Sequence, residues 1–572
     1  MGLFSRRDKT SKASSILTSQ SNSSLRSASS SIKSPTTASI YSTSRVPITT
    51  TISNNRTSNG TTNTASSTRT GPSPSTPLTP FSPVYGHSLN AAMSNVQLPH
   101  IDLPKPPDPS LDPAGYLRSL GAVRERCSLI TEKALRNKLH HFDVDMTKFP
   151  DVVSFVARII KRDYDAPFTS IPPHGRYQHF AVGGRDRIAH LLATFPEDVD
   201  NAEKCRRIID LFLVSVLLDA GSGTEWSYKS TENGRVYRRS EGIAVASLEM
   251  FKTGLFSSDT RNKYQVDKDG LRSLTVEKLA AGLQSKPGNI MAGMEGRANL
   301  LLRLSEALDE KREFFGENGR PGNMLDHILS HPLTRASSML IVPLPVLWEV
   351  LMDGLAPIWP SSRTAINGVS LGDAWMCTSM PQPAPSRALP SSPTFSVFPN
   401  GAHYAPVAPW ESILPFHKLT QWLTYSLMQP LQGIMQMRFA GQELLTGLPE
   451  YRNGGLFIDL GVLTLKPDDA ARGLAHYADY CARTGTRAVE VAPMFDPGDD
   501  VVVEWRGVTV GLLDRLAAEV NRALQPELAG QELTLAQVLE AGSWKGGREV
   551  AEVSRPNTKE PPILIDSDGT VF

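Results

Sequence analysis

The sequence predicts a mostly α-helical fold, with one large helical body and a small β element near the carboxyl-terminal end. Apolar residues recur at helical spacing through most of the chain after residue 112, which is typical of amphipathic helices. Alternating apolar and polar residues, the pattern of a strand, are confined to about 456–465, 487–492 and 500–510. No internal repeat is visible, and the 40% hydrophobic content is enough for a large core.

Residues 1–95 form a Ser/Thr-rich tail, which we expect to be disordered. Nearly half of the residues up to Gly86 are Ser or Thr, and such a segment buries too little apolar surface to offset its loss of conformational entropy. Mitochondrial transit peptides share this Ser/Arg-rich composition, but residues 11–34 lack the apolar period of an amphipathic helix. We therefore expect a cytoplasmic location, with the nucleus as an additional compartment, and no mitochondrial import.

The Pro-rich segment 96–112 is expected to form an extended strap on a helical body of residues 113–572. Asp112 and Pro113 predict the start of a helix that runs to about Leu139, because proline is tolerated in a first helical turn. Further helices are predicted at about 148–161, 185–195, 201–219, 242–254, 274–284, 296–312 and 342–354.

A loop rich in Pro, Ser and Gly at 361–408 interrupts the helical pattern. A loop of this length inside a compact body is usually functional or disordered, so a subdivision of the body at this point is an alternative to a single unit. After the loop, a long helix is predicted from about Ser412, with a kink at Pro430 because proline removes a helical hydrogen bond.

Charge and composition exclude several classes of partner. The whole chain carries a net charge of +1, but residues 1–100 hold nine basic residues and one acid, which leaves −7 on residues 101–572. An acidic body repels phosphate backbones, so no nucleic-acid partner is expected. The apolar stretches are shorter than the ~20 residues of a membrane span, so no membrane partner is expected either. Four widely spaced cysteines and the lack of a phosphate-loop motif predict neither a metal nor a cofactor.

The first candidate site segment is 218–228 (LDAGSGTEWSY), which follows a predicted buried helix. Asp219 stands at the end of that helix, and Glu225 and Trp226 follow two glycines, so these side chains could line a substrate pocket. The alternative is an ordinary glycine helix stop in which backbone donors satisfy Asp219.

Residues 237–242 (YRRSEG) precede a helix that is predicted to begin near Ile243. Free N–H groups at a helix start attract anions, and Arg238 and Arg239 would add bidentate geometry for a phosphate or carboxylate. Glu241 lies in the same segment and is a candidate for substrate binding. Alternatively, Ser240 is a plain helix cap and the arginines face water.

The helix that begins near 415 carries an unusual polar stripe. At ~100° per residue, His417, Gln421 and Tyr425 fall together, opposite an apolar face. These groups make directional hydrogen bonds, so the stripe is predicted to face a ligand cleft. The alternative is a helix between two packed layers, with its polar groups satisfied internally.

The last candidate segment is 446–459 (TGLPEYRNGGLFID). Its Asn-Gly-Gly run predicts a turn that places Glu450, Tyr451 and Arg452 on one side and Asp459 in a following strand. Two carboxylates beside an arginine suit acid–base chemistry. The alternative is a hairpin that is held together by Glu–Arg pairing.

Taken together, these motifs resemble the fungal and bacterial uracil-catabolism family of the URC pathway, which was long catalogued as a domain of unknown function. The resemblance covers about 107–572. A fainter likeness to queuosine nucleosidases, helical proteins related to base-excision DNA glycosylases, comes from Glu450-Tyr451-Arg452, where those proteins have Asp-Tyr-Arg. The motifs that carry the main resemblance are 218–223 (LDAGSG), 239–242 (RSEG), 415–426 (PFHKLTQWLTYS) and 448–455 (LPEYRNGG).

The resemblance implies a role in a route where uracil becomes a nucleotide, a cyclohydrolase-like enzyme opens the ring, and a ribosyl-urea intermediate must release urea. Hydrolysis of the N-ribosidic bond of a ribosyl-urea or a related nucleotide-derived substrate is the leading hypothesis. The alternative is a non-catalytic protein that binds the ring-opening enzyme or channels its product, so contacts with pathway enzymes are expected. On the motif interpretation, the catalytic candidates are Asp219, Glu450, Asp459 and His417, and the substrate-binding candidates are Glu225, Trp226, Arg238, Arg239, Glu241, Gln421, Tyr425, Tyr451 and Arg452.

Overall fold

Helices form most of the structure, a computed structural model that describes residues 101–566 apart from 220, 224, 384–406 and 487–488. The mostly α-helical class predicted from the sequence is confirmed. The predicted tail and residues 384–406 of the Pro/Ser/Gly-rich loop lie outside the described residues. The helices are α1 Pro113–Arg118, α2 Leu120–Leu135, α3 Phe149–Asp163, α4 Arg176–Phe180, α5 Arg187–Ala193, α6 Asn201–Leu217, α7 Arg239–Thr253, α8 Lys268–Arg272, α9 Val276–Gly282, α10 Met294–Glu310, α11 Arg312–Phe315, α12 Met324–Ser330, α13 Pro332–Arg335, α14 Leu344–Gly354, α15 Lys418–Met435, α16 Tyr451–Asp459, α17 Pro467–Thr484, α18 Asp500–Leu528, α19 Leu535–Val538 and α20 Trp544–Ser554.

The described strands are short, and each of their sheets has only two strands. They pair antiparallel as β1 with β10, β2 with β3, β5 with β6 and β7 with β8, and parallel as β4 with β9 and β11 with β12. Their bounds are β1 Phe142–Val144, β2 Tyr228–Lys229, β3 Val236–Tyr237, β4 Ile341–Pro343, β5 Ala365–Ile366, β6 Val369–Ser370, β7 Ala374–Met376, β8 Ile413–Pro415, β9 Arg438–Ala440, β10 Leu463–Leu465, β11 Met494–Phe495 and β12 Leu564–Ile565.

The secondary structure of the predicted carboxyl-terminal strands differs from the prediction. The segment 500–510 belongs to α18, which begins where the Asp499 side chain accepts the N–H of Val501. Its β-branched residues suggested a strand, but this part of α18 is buried on all sides, so it lacks the polar face that would reveal a helix. The segment 456–465 divides into the end of α16 and strand β10, and 489–492 contains no strand.

Buried apolar side chains form two main clusters, which both lie within one compact unit. The first is built on α6, α7, α10, α14 and α15. The second is built on α2, α3, α16 and α18. The ends of several of these helices meet at one cavity, so the fold places residues from both clusters around a single space.

Candidate functional site

A cavity of about 1010 Å³ is lined by residues that follow α6, begin α7 and α16, and lie on α15, α17 and α20. This volume is at the upper end of the range for small-molecule sites. The carboxyl-terminal segment, with Glu560 and strand β12, closes part of the wall. The cavity is therefore large enough for a sugar derivative.

Asp219 lies at the cavity wall, two residues after the end of α6. The fully buried Arg176 donates from Nη1 to Asp219 Oδ2 at 2.6 Å. Its other nitrogens donate to the hydroxyl and the carbonyl of Ser215, at 2.8 and 2.9 Å. Asp219 is thus held by a charge-assisted bond to a guanidinium that α6 itself fixes in place.

Glu450 is buried at the cavity wall and caps helix α16. Its carboxylate accepts the N–H groups of Arg452 and Asn453, at 2.8 and 2.6 Å. Burial raises the pKa of Glu450 above its ordinary value, although these two hydrogen bonds act in the opposite direction. The capping role explains the position of the side chain, and the raised pKa makes it a group that can also hold a proton.

Lys418 begins helix α15 and lines the same cavity. Burial lowers its pKa, while the carboxylates of Glu450 and Asp219 oppose that shift. Among the described residues, the Lys418 ammonium has no hydrogen bond or ion pair, and only its backbone N–H is engaged, by Asp373. A cation that shares a cavity with two carboxylates but has no direct partner is available to a bound ligand.

Four aromatic rings form one corner of the cavity: His174, His179, Trp422 and Trp544. His174 lies 4.7 Å from Trp422 and 5.6 Å from Trp544 between ring centroids, and His179 lies 5.7 and 5.6 Å from the same two rings. Both histidines are almost fully buried. The corner offers imidazole nitrogens on an apolar support.

Two arginines of the cavity wall meet beside the carboxyl-terminal segment. Arg452 donates to the carbonyl of Lys559 at 2.8 Å, and Arg239 makes longer contacts with the same segment. Burial, and next the charge of Arg452, lower the pKa of Arg239. Burial raises the pKa of Glu560, and both arginines oppose this. Two guanidiniums side by side in the cavity wall form a place that favours an anion.

The structure brings six of the predicted site residues to the cavity. They come from two segments that are more than 200 residues apart in the sequence, 219–239 and 450–452. The six residues are Asp219, Glu225, Arg239, Glu450, Tyr451 and Arg452.

The predicted polar stripe of α15 does not line this cavity. His417 Nε2 contacts the Leu117 carbonyl at 2.8 Å, and burial lowers the pKa of this histidine to about 4. Gln421 donates to the Thr446 hydroxyl at 2.7 Å and accepts its N–H at 2.9 Å, and Tyr425 donates to the Thr446 carbonyl at 3.0 Å. The alternative interpretation, internal satisfaction between packed layers, fits these contacts.

Four other predicted residues also lie away from the cavity. Trp226 is buried and donates to the Leu283 carbonyl at 2.8 Å, and Arg238 is exposed. Glu241 accepts from Arg548 at 2.6 Å. Asp459 ends a helix instead of lying in a strand, and it accepts both bonds of Arg555, at 2.9 and 2.6 Å.

Sequence reasoning missed Lys418, Trp422, His174 and His179. Lys418 and Trp422 stand within a quoted motif, four residues apart and therefore on one helical face. A lysine at the buried start of an apolar helix was the available signal. His174 and His179 belong to a segment whose helix, α4, has only five residues, too few for a periodic pattern.

One group of potential metal ligands lies at the rim. His476, Asp496 and Asp566 place donor atoms within 4.8 Å of one another, but Asp566 also accepts from Arg483 at 3.2 Å. A guanidinium on the same carboxylate competes with a cation there. Among the described helices, none combines the length and apolar character that crossing a bilayer demands.

Two known proteins are similar to this chain over nearly the whole of their own length. It is 41% identical over 466 residues to uracil catabolism protein 4 of Lachancea kluyveri, which covers 81% of this chain and 99% of that protein. It is 42% identical over 464 residues to protein urg3 of Schizosaccharomyces pombe, which covers 81% and 100%. Residues 116–572 match the family described as "Protein of unknown function (DUF1688)". The chain belongs to this family, as the motif resemblance predicted.

Proposed function

We propose that this protein acts in uracil catabolism and hydrolyses the N-ribosidic bond of a ribosyl-urea, releasing urea. The name of the L. kluyveri relative, uracil catabolism protein 4, supports the pathway. The observation that carries the reaction is the meeting of Asp219, Glu450 and Lys418 in one cavity. The likeness to helical nucleosidases remains a prediction, and the reaction rests on the cavity instead.

The two carboxylates suit the charge that develops on the sugar. Breaking the C1′–N bond gives the ribose oxocarbenium character, and a carboxylate close to C1′ stabilises it. Asp219 takes this role, because the buried Arg176 fixes its position before substrate enters. Glu450 lines the same cavity and holds the ribose hydroxyls or the attacking water.

Lys418 suits the leaving group. Urea departs readily only if its nitrogen gains a proton, and an ammonium whose pKa is lowered by burial gives up a proton more easily at neutral pH. Trp422 lies one turn further along the same face of α15 and supports the planar urea group. The arrangement thus separates a cation-stabilising side from a proton-donating side.

Urea release from synthetic ribosyl-urea and from its 5′-phosphate, measured with the purified protein, tests the proposal. We expect release by the unaltered protein and a loss of at least about 100-fold in kcat for Asp219→Asn. Asp514→Asn is the matched control, because Asp514 also pairs with an arginine, Arg124, and neither residue lines the cavity. If neither compound yields urea, the hydrolase proposal fails.

The same experiment distinguishes the non-catalytic alternative. A protein that only binds or channels the ring-opened product would hold ribosyl-urea without releasing urea. Calorimetric binding with no turnover, unaffected by Asp219→Asn, would favour that alternative over the hydrolase.

A further inference from the structure

His174 and His179 pack against the same two tryptophans, but each has a different partner on its Nδ1 atom. His174 Nδ1 lies 2.6 Å from Glu540 Oε2, and His179 Nδ1 lies 3.1 Å from Arg176 Nη1. No other described residue makes a hydrogen bond with the Nε2 atom of either ring. Since both side chains line the cavity, Nε2 is the nitrogen that each offers to a ligand.

Glu540 fixes the proton of His174 on Nδ1. An ionised carboxylate can only accept a hydrogen bond, so Nδ1 must be the donor. The neutral ring then has an unprotonated Nε2, a proton acceptor. The His174 side chain is 3% exposed, and the backbone N–H of this residue is held by the Ala536 carbonyl at 3.0 Å, so the ring has little freedom to turn.

Arg176 fixes the opposite arrangement on His179. A guanidinium has no acceptor, so Arg176 must be the donor and Nδ1 must be unprotonated. Nε2 of His179 therefore carries the proton. Burial, and next the charge of Arg176, lower the pKa of His179 to about 4, so the ring stays neutral near pH 7.

The backbone around Glu540 is also unusual. Residues Leu539–Ser543 form a π-helical turn between α19 and α20. Such turns are rare and occur frequently at functional sites. Here the turn carries Glu540 at one end and leads directly into Trp544, so it sets both the partner of His174 and one of the supporting rings.

We propose that His174, held by Glu540, is the proton acceptor for the attacking water, and that His179, held by Arg176, is a neutral hydrogen-bond donor to the urea carbonyl. This rests on the hydrolase proposed above and names two further catalytic residues for it. Glu540 is a positioning residue, since it acts through His174.

The atoms balance as follows in a single turnover. The water oxygen bonds to C1′ as the C1′–N bond breaks, and the electron pair of the broken bond passes to the urea nitrogen. One water proton moves to His174 Nε2, while Lys418 gives a proton to the urea nitrogen. The proton on His174 then returns through water to Lys418, so ribose and urea leave and both side chains are restored.

The tautomers can be measured without any substrate. In protein labelled with ¹⁵N-histidine, a ring nitrogen without a proton resonates well apart from a protonated one, and His174→Gln and His179→Gln identify the signals. At pH 7 to 8, we expect His174 to be protonated on Nδ1 and His179 on Nε2. The same tautomer in both rings would overturn the proposal, whether or not ribosyl-urea is the substrate.

Glu540→Gln tests the catalytic role, because its amide can donate to Nδ1 and so move the proton of His174 to Nε2. We expect kcat for urea release to fall about 100-fold or more while KM stays within about twofold. Glu540→Asp keeps the acceptor and should retain more activity. Unchanged kcat in Glu540→Gln would overturn the acceptor role. An unaltered protein that releases no urea but shows opposite tautomers would reject the hydrolase alone.

Discussion

Two neighbouring stripes of helix α15 differ in one physical respect. His417, Gln421 and Tyr425 have their polar atoms satisfied by backbone or side-chain partners inside the fold. Lys418 and Trp422 lie on the adjacent stripe, and the Lys418 ammonium has no partner among the described residues. Polar residue types alone therefore did not identify the cavity face. The unsatisfied cation did, because a partly buried charge without a partner is costly unless a ligand or nearby opposite charge offsets it.

The largest effect on activity should come from a change to Lys418, on the stripe of α15 that faces the cavity. Lys418→Met removes the proposed proton donor, and we expect kcat for urea release to fall at least about 100-fold. The free energy of unfolding should not fall, because methionine is similar in length to lysine and its introduction removes a desolvated charge. Urea assays and thermal unfolding of the same preparation check both parts. A melting temperature that falls together with activity would show that Lys418 is structural, like the residues of the His417 stripe.

The satisfied stripe should respond in the opposite way. Gln421→Leu leaves the buried N–H of Thr446 without a partner and removes one of the two bonds of its hydroxyl, at a cost of about 3 kcal/mol in the free energy of unfolding. Tyr425→Phe removes one bond to the same residue and should cost about 1 kcal/mol. Denaturant titrations measure both. KM of the folded fraction should be unchanged, and a raised KM would return this stripe to the site.

The sequence was informative where a pattern is local. The helix predicted at 201–219 appears as Asn201–Leu217, and Asp219 was placed correctly at its end, because apolar spacing and a glycine stop are neighbours in sequence. The motif with Glu450 was found as well, although its Asn-Gly-Gly run continues a helix instead of turning a hairpin. The capping bonds of Glu450 explain this, since they start a helix at Tyr451.

The rest of the site depends on contacts that no local pattern encodes. Glu540 meets His174 across 366 positions of sequence, and Arg176 reaches Asp219 from a helix of five residues. The burial that lowers the pKa of Lys418 likewise arises only when α15 is packed. Such a corner is visible only after folding has joined distant segments.

His141 extends the comparison to a histidine with no free ring nitrogen. Its Nδ1 contacts Asp469 at 2.8 Å and its Nε2 contacts Asp500 at 2.7 Å, away from the cavity. Burial lowers the pKa of His141, but the hydrogen bonds to Asp500 and Asp469 outweigh it and raise the pKa to about 9. By the same criterion of satisfaction, this histidine is structural.

The pH dependence of stability checks that role. A histidine whose folded pKa lies above its unfolded value stabilises fully below about pH 6.5, and the contribution is lost as pH rises through about 9. We expect His141→Gln to cost on the order of 2 kcal/mol at pH 6, after allowance for solvent screening, and much less at pH 10. Denaturant titrations at both values measure this. An equal cost at both pH values would show that the charged form of His141 does not stabilise the fold.

The smallest expected effect compares two adjacent arginines, and it decides whether the substrate is phosphorylated. Arg239 lines the cavity beside Arg452, whereas Arg238 is exposed and lies outside it. Lysine keeps the charge but loses the bidentate fork that matches a phosphate. Arg239→Lys should therefore raise KM about 10-fold for ribosyl-urea 5′-phosphate and little for the free riboside, and Arg238→Lys should change neither. If Arg239→Lys affects both substrates equally, the arginine pair does not read a phosphate, and Glu560 is then its resident counter-charge.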